Sequence, residues 1–400
     1  MRNVQKYVYK YLGKKKITIF VINEIFRENP MVEQIKFKNL KIFKNWQTLE
    51  IKPITILIGK NNSGKSAIAK LPVLVAGSIS GSFSAPINLN YEGIRIGYSN
   101  EELFYNREIT LEPIEFDIKL TNDNITVSIS GDRSYQIRVS KCVINGEETD
   151  SKSKYNGFIP EKMKGKKLEI FDFDYIDSFR KFPEPQFSDI YGDYLKIGLS
   201  GESAYKLMAQ YHNQNNPILN QIKEWYKDNF EGWEIGVKDI AGSSPLFEIV
   251  LSTSKIKAIN IVNTGSGIRQ SLPLIVRSYM PTQNPTLIII EEPETHLHPA
   301  AHGVLAQRFA ESYLEDNNKK YLIETHSQNF VLRMRRLVAE GKLKPDNLAI
   351  YYVDFDEEKN ESNLRLIEVD KDGEVEWWPK RIFEDTLEEV INLRKAQEQR

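Results

Sequence analysis

The chain has little of what several classes of protein require. Among its 400 residues there is one cysteine, Cys142, which excludes an internal disulfide and a cysteine-based zinc cluster and is typical of a reducing compartment. No apolar run approaches the roughly 18 residues that cross a bilayer, and the longest early one, residues 17–22, is too short for the core of a signal peptide. We therefore expect a soluble, cytoplasmic protein with no membrane partner.

The chain also lacks an excess of either charge. Its 54 Lys+Arg residues are balanced by 55 Asp+Glu residues, so a uniformly basic nucleic-acid coat is excluded but a local basic groove is not. Basic residues do concentrate in residues 1–30, where seven stand against two acids. We interpret residues 1–30 as a basic N-terminal extension, either a solvated arm or an upstream segment of a chain that starts at Met31.

Hydropathy patterns divide the remainder into three parts. Residues 31–178 begin with strands, and from about residue 76 they read as a β-rich insertion. Residues 179–245 are aromatic-rich and helical, with proline breaks, and residues 246–400 alternate helices with buried strands, as in a parallel sheet. We expect an α/β protein with a first lobe (31–178), a helical insertion or linker (179–245) and a second lobe (246–400).

One segment is a phosphate-binding motif. Residues 59–66, GKNNSGKS, satisfy G-x-x-x-x-G-K-[ST] and lie between an apolar strand and the start of a helix, as the motif requires. In such a loop successive N–H groups point at phosphate oxygens, the lysine bridges the β- and γ-phosphates and the serine hydroxyl ligates Mg²⁺. The residues that we predict to bind a nucleoside triphosphate are Gly59, Asn61, Asn62, Ser63, Gly64, Lys65, Ser66 and Ala67.

Polar residues follow two further buried strands. Residues 287–290 deliver Glu291 and Glu292 at their carboxyl end, where glutamates are rare unless they pair or face an ion. One acid there can hold the Mg²⁺ shell, and a neighbouring acid can orient and deprotonate the attacking water. The strand 321–323 ends in the tetrapeptide ETHS, whose His326 can reach the γ-phosphate.

A second glycine-rich turn opens a helix within NTGSGIRQ, residues 263–270. Free N–H groups in such a turn can bind an anion, although an ordinary helix N-cap explains the segment equally well. Because the chain already has one phosphate loop, the second turn suggests an ATP shared across a dimer. The histidines His296, His298 and His302 lack the H-E-x-x-H setting of a zinc site, so we predict no zinc there.

Together, the segments GKNNSGKS, NTGSGIRQ, IIIIEEPETHLHP and LIETHS resemble the ABC-type ATPases of the SMC, RecF and overcoming-lysogenisation-defect group. The C-terminal half is similar to the AAA-type ATPases of bacterial anti-phage defence operons, including those of the PARIS and Septu two-gene systems. The resemblance implies an ABC-type P-loop ATPase head with a mixed β lobe, a helical lobe and a parallel-sheet core. It also implies ATP and Mg²⁺ as cofactors.

The resemblance implies roles for individual residues. Glu291 takes the Walker B role at the Mg²⁺ ion, beside Ser66. Glu292 takes the role of the catalytic base, and His326 takes the role of the switch histidine. These roles together imply an ATPase, with turnover that is slow and regulatory.

The same resemblance implies an assembly. Ser266 and Gly267 take the role of the signature loop, which contacts the ATP of a partner subunit in a homodimer or a higher even-numbered homo-oligomer. The sequence departs from the family in two places. The signature region lacks the LSGGQ of transporters, and no clear Q-loop glutamine is present, although Arg180 and Gln186 lie near its expected place.

The expected function is a nucleotide-dependent sensor or scaffold that controls a separate effector in anti-phage defence. The Asp354-x-Asp356 pair resembles a Toprim D-x-D, but a hairpin before the strand at 363–369 is favoured. We therefore expect the effector to be a Toprim-like or HNH nuclease, or a toxin, encoded nearby, with a phage protein as trigger. The alternative is a DNA-repair or recombination clamp of the RecF/SMC type, which residues 1–30 and 162–167 would support by binding nucleic acid.

Overall fold

The computed structural model describes residues 30–149, 154–161, 168, 170–188, 192–240, 246–379, 382–383 and 392–397. Residues 1–29 of the expected basic extension and the lysine-rich segment 162–167 lie outside the described residues. Among the described helices, none has both the length and the apolar character of a membrane-spanning segment.

The described strands form two six-stranded sheets and three smaller ones. In chain order they are β1 (Val32–Lys38), β2 (Gln47–Glu50), β3 (Ile54–Gly59), β4 (Asn90–Tyr91), β5 (Ile94–Arg95), β6 (Ile114–Leu120), β7 (Asn124–Gly131), β8 (Ile137–Ile144), β9 (Glu147–Glu148), β10 (Tyr155–Asn156), β11 (Ile159–Pro160), β12 (Asp172–Ile176), β13 (Glu234–Ile240), β14 (Leu246–Ser252), β15 (Ile259–Asn260), β16 (Thr286–Glu291), β17 (Lys319–Glu324), β18 (Leu348–Asp356) and β19 (Glu361–Ile367). The α-helices are α1 (Lys65–Ala69), α2 (Leu71–Ile79), α3 (Ser203–Asn213), α4 (Pro217–Asn229), α5 (Ser266–Tyr279), α6 (Pro299–Glu315) and α7 (Gln328–Ala339).

The central sheet has the order β12-β16-β17-β3-β18-β19. Its first five strands are parallel, and β19 pairs antiparallel with β18. Every residue of β3 and β16 is buried, because both faces of a parallel sheet are covered. Leu57 and Ile289 pack into the core on the side of the antiparallel sheet, whereas Ile56 and Ile288 pack into the core formed with the helices.

The second six-stranded sheet is antiparallel, with the order β2-β1-β6-β7-β8-β9. Within this sheet β6 pairs with both β1 and β7, so the β-rich segment joins the strands at the start of the folded chain. The predicted start of the β-rich part near residue 76 is wrong, since α2 continues to Ile79. All nine residues of α2 are buried, and a fully apolar run has no periodicity from which to predict a helix rather than a strand.

The Asp354-x-Asp356 pair belongs to the hairpin of β18 and β19, as predicted. Asp354 is the cross-strand partner of Asn363, and the carboxylate of Asp356 accepts hydrogen bonds from the backbone N–H groups of Glu358 and Lys359 in the turn. Asp356 is therefore a turn residue, held by local hydrogen bonds.

The strand order brings three carboxyl ends to one edge of the central sheet. In β3 this end is Gly59, and in β16 and β17 it is Glu291 and Glu324, which are direct cross-strand partners. Glu324 lies beside Leu57 of β3 in the same register. The phosphate-loop segment and both acidic strand ends thus meet where ligands bind in open α/β sheets.

At the opposite edge, Lys319 begins β17 with a buried ammonium group. Its Nζ donates to the carbonyl oxygen of Ser278 at 2.7 Å and to Oγ of Ser312 at 3.1 Å. Burial, with Arg277 as the second cause, lowers the pKa of Lys319 to about 8. A lysine with a lowered folded-state pKa makes the protein more stable as the pH rises from that value towards the ordinary pKa of 10.5.

We therefore expect Lys319→Met to change the pH dependence of stability. Each pKa unit corresponds to about 1.4 kcal/mol, so Lys319 should raise the free energy of unfolding by about 2 kcal/mol between pH 7 and pH 9.5. Urea unfolding at both pH values should show this increase for the parent and its loss in Lys319→Met. The exposed Lys371→Met is the control. An equal pH dependence of the parent and Lys319→Met would contradict the assignment.

Candidate functional site

A cleft of about 440 Å³ lies at the edge of the central sheet where the three strands end. The P-loop supplies one wall, the ends of β16 and β17 supply another, and the turn between β1 and β2 supplies a third. The lining residues are Lys41, Ile42, Asn61, Asn62, Gly64, Lys65, Ser66, Ala67, Glu292, Glu324 and His326. Most of the predicted site residues are therefore brought together. Gly59, Ser63, Glu291, Ser266 and Gly267 are absent from this lining.

The shape of the loop depends on its two glycines. A Cβ atom on Gly59 would lie 2.4 Å from the carbonyl oxygen of Val353. Gly64 has a φ of 102°, in the region that favours glycine, and a Cβ atom there would lie 2.8 Å from Cδ1 of Ile42 and 2.9 Å from Cζ of Phe43. Any side chain at either position would push the loop away from its neighbours.

Lys65 points back over this loop. Its side chain is 4% exposed, and Nζ donates to the carbonyl oxygen of Lys60 at 2.8 Å. Nζ also lies 3.9 Å from Oε1 of Glu324. Burial lowers the pKa of Lys65, while the nearby carboxylates, Glu324 first among them, raise it. The ammonium group is thus held in the cleft by groups that an incoming phosphate can replace.

The two consecutive glutamates face different surroundings. Glu291 is buried behind the cleft, where the hydroxyl of Tyr175 donates to its carboxylate and Nζ of Lys70 lies 3.9 Å away. Burial raises the pKa of Glu291, and the hydrogen bond from Tyr175 opposes that effect. Glu291 is not among the residues that line the cleft, and the carboxylate that accepts a hydrogen bond from Oγ of Ser66 is that of Glu324.

Glu292 turns into the cleft instead. Its φ of 42° lies in the left-handed region, which is unfavourable for a non-glycine residue and persists only where the surroundings hold it. Oγ1 of Thr295 donates to Oε2 of Glu292 at 3.2 Å, and Oε1 lies 3.9 Å from Nε2 of His326. The strained turn thus separates the side chain of Glu292 from that of Glu291.

His326 stands across from Glu292. Its backbone N–H donates to the carboxylate of Glu294 at 2.6 Å, which fixes the turn after β17. Burial lowers the pKa of His326, and the neighbouring charge of Lys65 lowers it further. This shift favours the neutral imidazole, in which one ring nitrogen donates a hydrogen bond and the other can accept one.

Glu324 is an acid in this cleft to which the sequence motifs gave no role. It is 3% exposed, and its Oε1 accepts a hydrogen bond from Oγ of Ser66 at 3.1 Å. Burial raises its pKa to about 7, with the charge of Glu291 as the second cause. A signal was present, because Glu324 ends a buried strand just as Glu291 does, and a buried acid at that place needs a partner.

Ser266 and Gly267 lie apart from the P-loop cleft of their own chain. They begin helix α5, where the N-cap residue is Gly265. A Cβ atom on Gly267 would come within 2.9 Å of the carbonyl oxygen of His296, so this turn packs closely on the loop that follows Glu292. Within one chain the two predicted parts of the site therefore do not meet.

Arg180, which had no assigned role, is buried between these parts. Its guanidinium donates to the carbonyl oxygens of Glu291 at 2.9 Å and Glu292 at 2.8 Å. Nη1 lies 3.5 Å from the carbonyl oxygen of Gln270, whose side-chain amide donates to the carbonyl of Arg180 at 3.1 Å. Arg180 thus ties the first turns of α5 to the backbone that carries the two glutamates.

The histidines near this region have structural partners. Nδ1 of His302 lies 2.8 Å from Oγ of Ser327, and the ring of His298 accepts from the backbone N–H of Ala300 at the start of α6. In the described part of the chain, the group of side chains that could share a metal ion consists of Glu292, Glu324 and His326, whose ligand atoms lie within 4.8 Å of one another.

The chain is similar to known ATPases in sequence. A family model described as "AAA ATPase domain" matches residues 87–331, and one described as "Protein of unknown function (DUF3696)" matches residues 343–393. An "ATP/GTP phosphatase" of Helicobacter pylori is 21% identical over 334 residues, which are 78% of this chain and 89% of that protein. The match to the ATPase family begins after the P-loop and includes β16. It therefore indicates an ATPase independently of the P-loop motif.

The fold is similar to that of SMC heads. A crystal structure of an Smc head bound to the C-winged helix domain of ScpA has a TM-score of 0.52 and 14% identity, and the match covers 85% of this chain and 98% of that chain. The SMC head domain from Thermotoga maritima has a TM-score of 0.45 and 12% identity, with 84% of this chain and 99% of that chain covered. The expected fold, an α/β P-loop ATPase head of the SMC type, is confirmed.

Proposed function

Because the chain belongs to the AAA ATPase domain family, we propose that the cleft binds ATP with Mg²⁺ and that Glu292 and His326 support its hydrolysis. One observation carries the proposal. Lys65 begins helix α1 after β3, Glu292 and His326 follow the ends of β16 and β17, and all three line a single cleft. In phosphoryl transfer to water, a lysine can bind phosphate, a carboxylate can take the proton of the water and an imidazole can donate a hydrogen bond to the γ-phosphate.

The residues fit a magnesium nucleotide. Oγ of Ser63 and Oε2 of Glu324 are buried without a hydrogen-bond partner in the described structure, and both lie at the P-loop. A bound nucleotide and its metal ion would give these two atoms partners. Mg²⁺ supplies charge neutralisation at the β- and γ-phosphates. We propose that Ser66 holds the ion and that Glu291, engaged by Tyr175 and Lys70, acts behind it on the outer shell.

The residues of the chain divide the work. Lys65 exchanges the carbonyl oxygen of Lys60 for phosphate oxygens, which places the terminal phosphate at the ends of β16 and β17. Glu292 accepts the proton of the attacking water, and Thr295 keeps the carboxylate in place. His326 donates to an oxygen of the γ-phosphate through the ring nitrogen that carries its proton.

We further propose that two copies of the chain share each nucleotide. Ser266 and Gly267 lie outside the cleft of their own chain, at the start of a helix whose N–H groups can meet an anion. A partner subunit could therefore bring this turn to the open side of the bound ATP. From the resemblance, we propose that the shared site switches a separate effector of anti-phage defence, a nuclease or toxin.

Mixed dimers test the sharing. Lys65→Ala and Ser266→Arg should each abolish ATP hydrolysis. An equal mixture should regain about a quarter of the parent rate, because half of the dimers are mixed and each of these has one intact shared site. Phosphate release from Mg-ATP is the measurement, and Ser254→Arg in an exposed turn is the control. Parent-like turnover by Ser266→Arg, or no recovery in mixtures that contain mixed dimers, would contradict sharing.

A further inference from the structure

The carboxylate nearest the P-loop serine is that of Glu324. Its Oε1 accepts from Oγ of Ser66 at 3.1 Å and lies 3.9 Å from Nζ of Lys65. Glu324 lines the cleft, whereas Glu291, its partner in the neighbouring strand, does not. Among the acids at this edge of the sheet, Glu324 therefore stands beside the hydroxyl group that ligates the metal in P-loop proteins.

Among the described residues, the second oxygen of Glu324 has no hydrogen-bond partner. Oε2 is fully buried, in a residue that is 3% exposed. A carboxylate offers about four acceptor positions, and a buried acceptor that no donor meets is costly. The carboxylate of Glu291 has the hydroxyl of Tyr175 and the ammonium group of Lys70 as partners. The oxygen that remains available for a cation is therefore Oε2 of Glu324.

The charges in the cleft also favour a cation beside Glu324. A triphosphate that enters the cleft meets Lys65 but also the carboxylates of Glu292 and Glu324. Without a cation between them, the carboxylate beside Ser66 would repel the phosphates at short range. A divalent cation bound to oxygen ligands removes this repulsion. Imidazole and carboxylate groups together, as in Glu292, Glu324 and His326, also accept Mn²⁺.

We propose that Glu324, together with Ser66, is the direct carboxylate ligand of the divalent cation that accompanies the nucleotide. Glu291 then has a structural role at the end of β16, where it accepts a hydrogen bond from Tyr175. The proposal rests on the proposed function, since it assigns a ligand within that nucleotide site. It also predicts that Glu324 weakens nucleotide binding when no metal is present and strengthens it when metal is added.

Nucleotide binding with and without metal tests the assignment. The affinity of a fluorescent ATP analogue is measured in Mg²⁺, in Mn²⁺ and in EDTA for the parent, for Glu324→Gln and for the exposed control Glu224→Gln. The parent and the control should bind at least about tenfold more tightly with metal than in EDTA. Glu324→Gln should lose this gain and bind in EDTA as tightly as the parent or more tightly.

Three results overturn the proposal in distinguishable ways. A full metal-dependent gain in Glu324→Gln removes Glu324 from the metal site. Equal losses with metal and in EDTA, in a variant that unfolds like the parent, assign Glu324 to the cradle rather than to the metal. No binding by the parent in any condition refutes the proposed function and this inference with it. If Glu324→Gln does not fold, Glu324→Asp decides, since its shorter carboxylate should reduce the gain, and an unchanged gain overturns the assignment.

Discussion

Lys65→Ala is expected to weaken ATP binding at least about a hundredfold, because charge-assisted hydrogen bonds contribute about 1.5–3 kcal/mol each and the ammonium group makes more than one. In the parent, Nζ of Lys65 lies 3.9 Å from Oε1 of Glu324. The variant removes this ammonium group and leaves the carboxylates of Glu292 and Glu324 in the cleft. Both losses oppose the entry of a polyanion. Isothermal titration calorimetry with Mg-ATP measures the effect directly.

The exposed Lys371→Ala is the matched control for Lys65→Ala, since it removes the same charge from the turn after β19. Urea unfolding of both variants separates a lost ligand contact from a lost fold. A dissociation constant for Lys65→Ala within a factor of three of the parent value would exclude this cleft as the triphosphate site. The P-loop motif would then be a glycine-rich turn with a buried lysine.

Glu292→Gln should have the opposite profile, with binding retained and turnover lowered by about a hundredfold to ten-thousandfold, the range for removal of a general base. Glutamine keeps the size of the side chain and can still accept from Thr295, which donates to Oε2 of Glu292 at 3.2 Å. It cannot take a proton from water. Because the substitution removes the basic oxygen but keeps the size of the side chain, we expect the fold to be unchanged.

The variant should also accumulate as an ATP-bound assembly, since ATP that is not hydrolysed keeps the proposed interface closed. Single-turnover phosphate release gives the rate, and sedimentation velocity in Mg-ATP gives the assembly. Glu358→Gln in the exposed turn of the β18–β19 hairpin is the control. Turnover by Glu292→Gln equal to that of the parent would remove Glu292 from the catalytic role.

Much of the fold and part of the site are predictable because they are local in sequence. The P-loop motif fixes a strand, a turn and a helix within about a dozen residues, and Gly59 and Gly64 have close neighbours that explain both glycines. The ends of β16 and β17 are visible as polar residues after buried runs. From these patterns Glu292 and His326 were placed at one sheet edge, and both line the cleft.

The remainder depends on contacts between distant parts of the chain. That Glu324, rather than Glu291, reaches Ser66 follows from β17 lying between β16 and β3, and no local pattern encodes that order. Glu291 instead accepts a hydrogen bond from Tyr175 of β12, which lies 116 residues earlier in the chain. The partners of Arg180 lie 90 to 112 residues further along the chain. Such partners can be assigned only when the strand order is known.

The hydrogen bonds of Arg180 have a consequence for how assembly and chemistry depend on each other. One guanidinium binds the carbonyl groups of Glu291 and Glu292, while Gln270 of α5 binds the backbone of Arg180. In the proposed dimer, a subunit that displaces the first turn of α5 therefore also shifts the backbone of Glu291 and Glu292. In the proposed dimer, docking energy and ATP affinity are therefore coupled in both directions, so that a ligand that tightens the dimer also changes the affinity of each subunit for ATP.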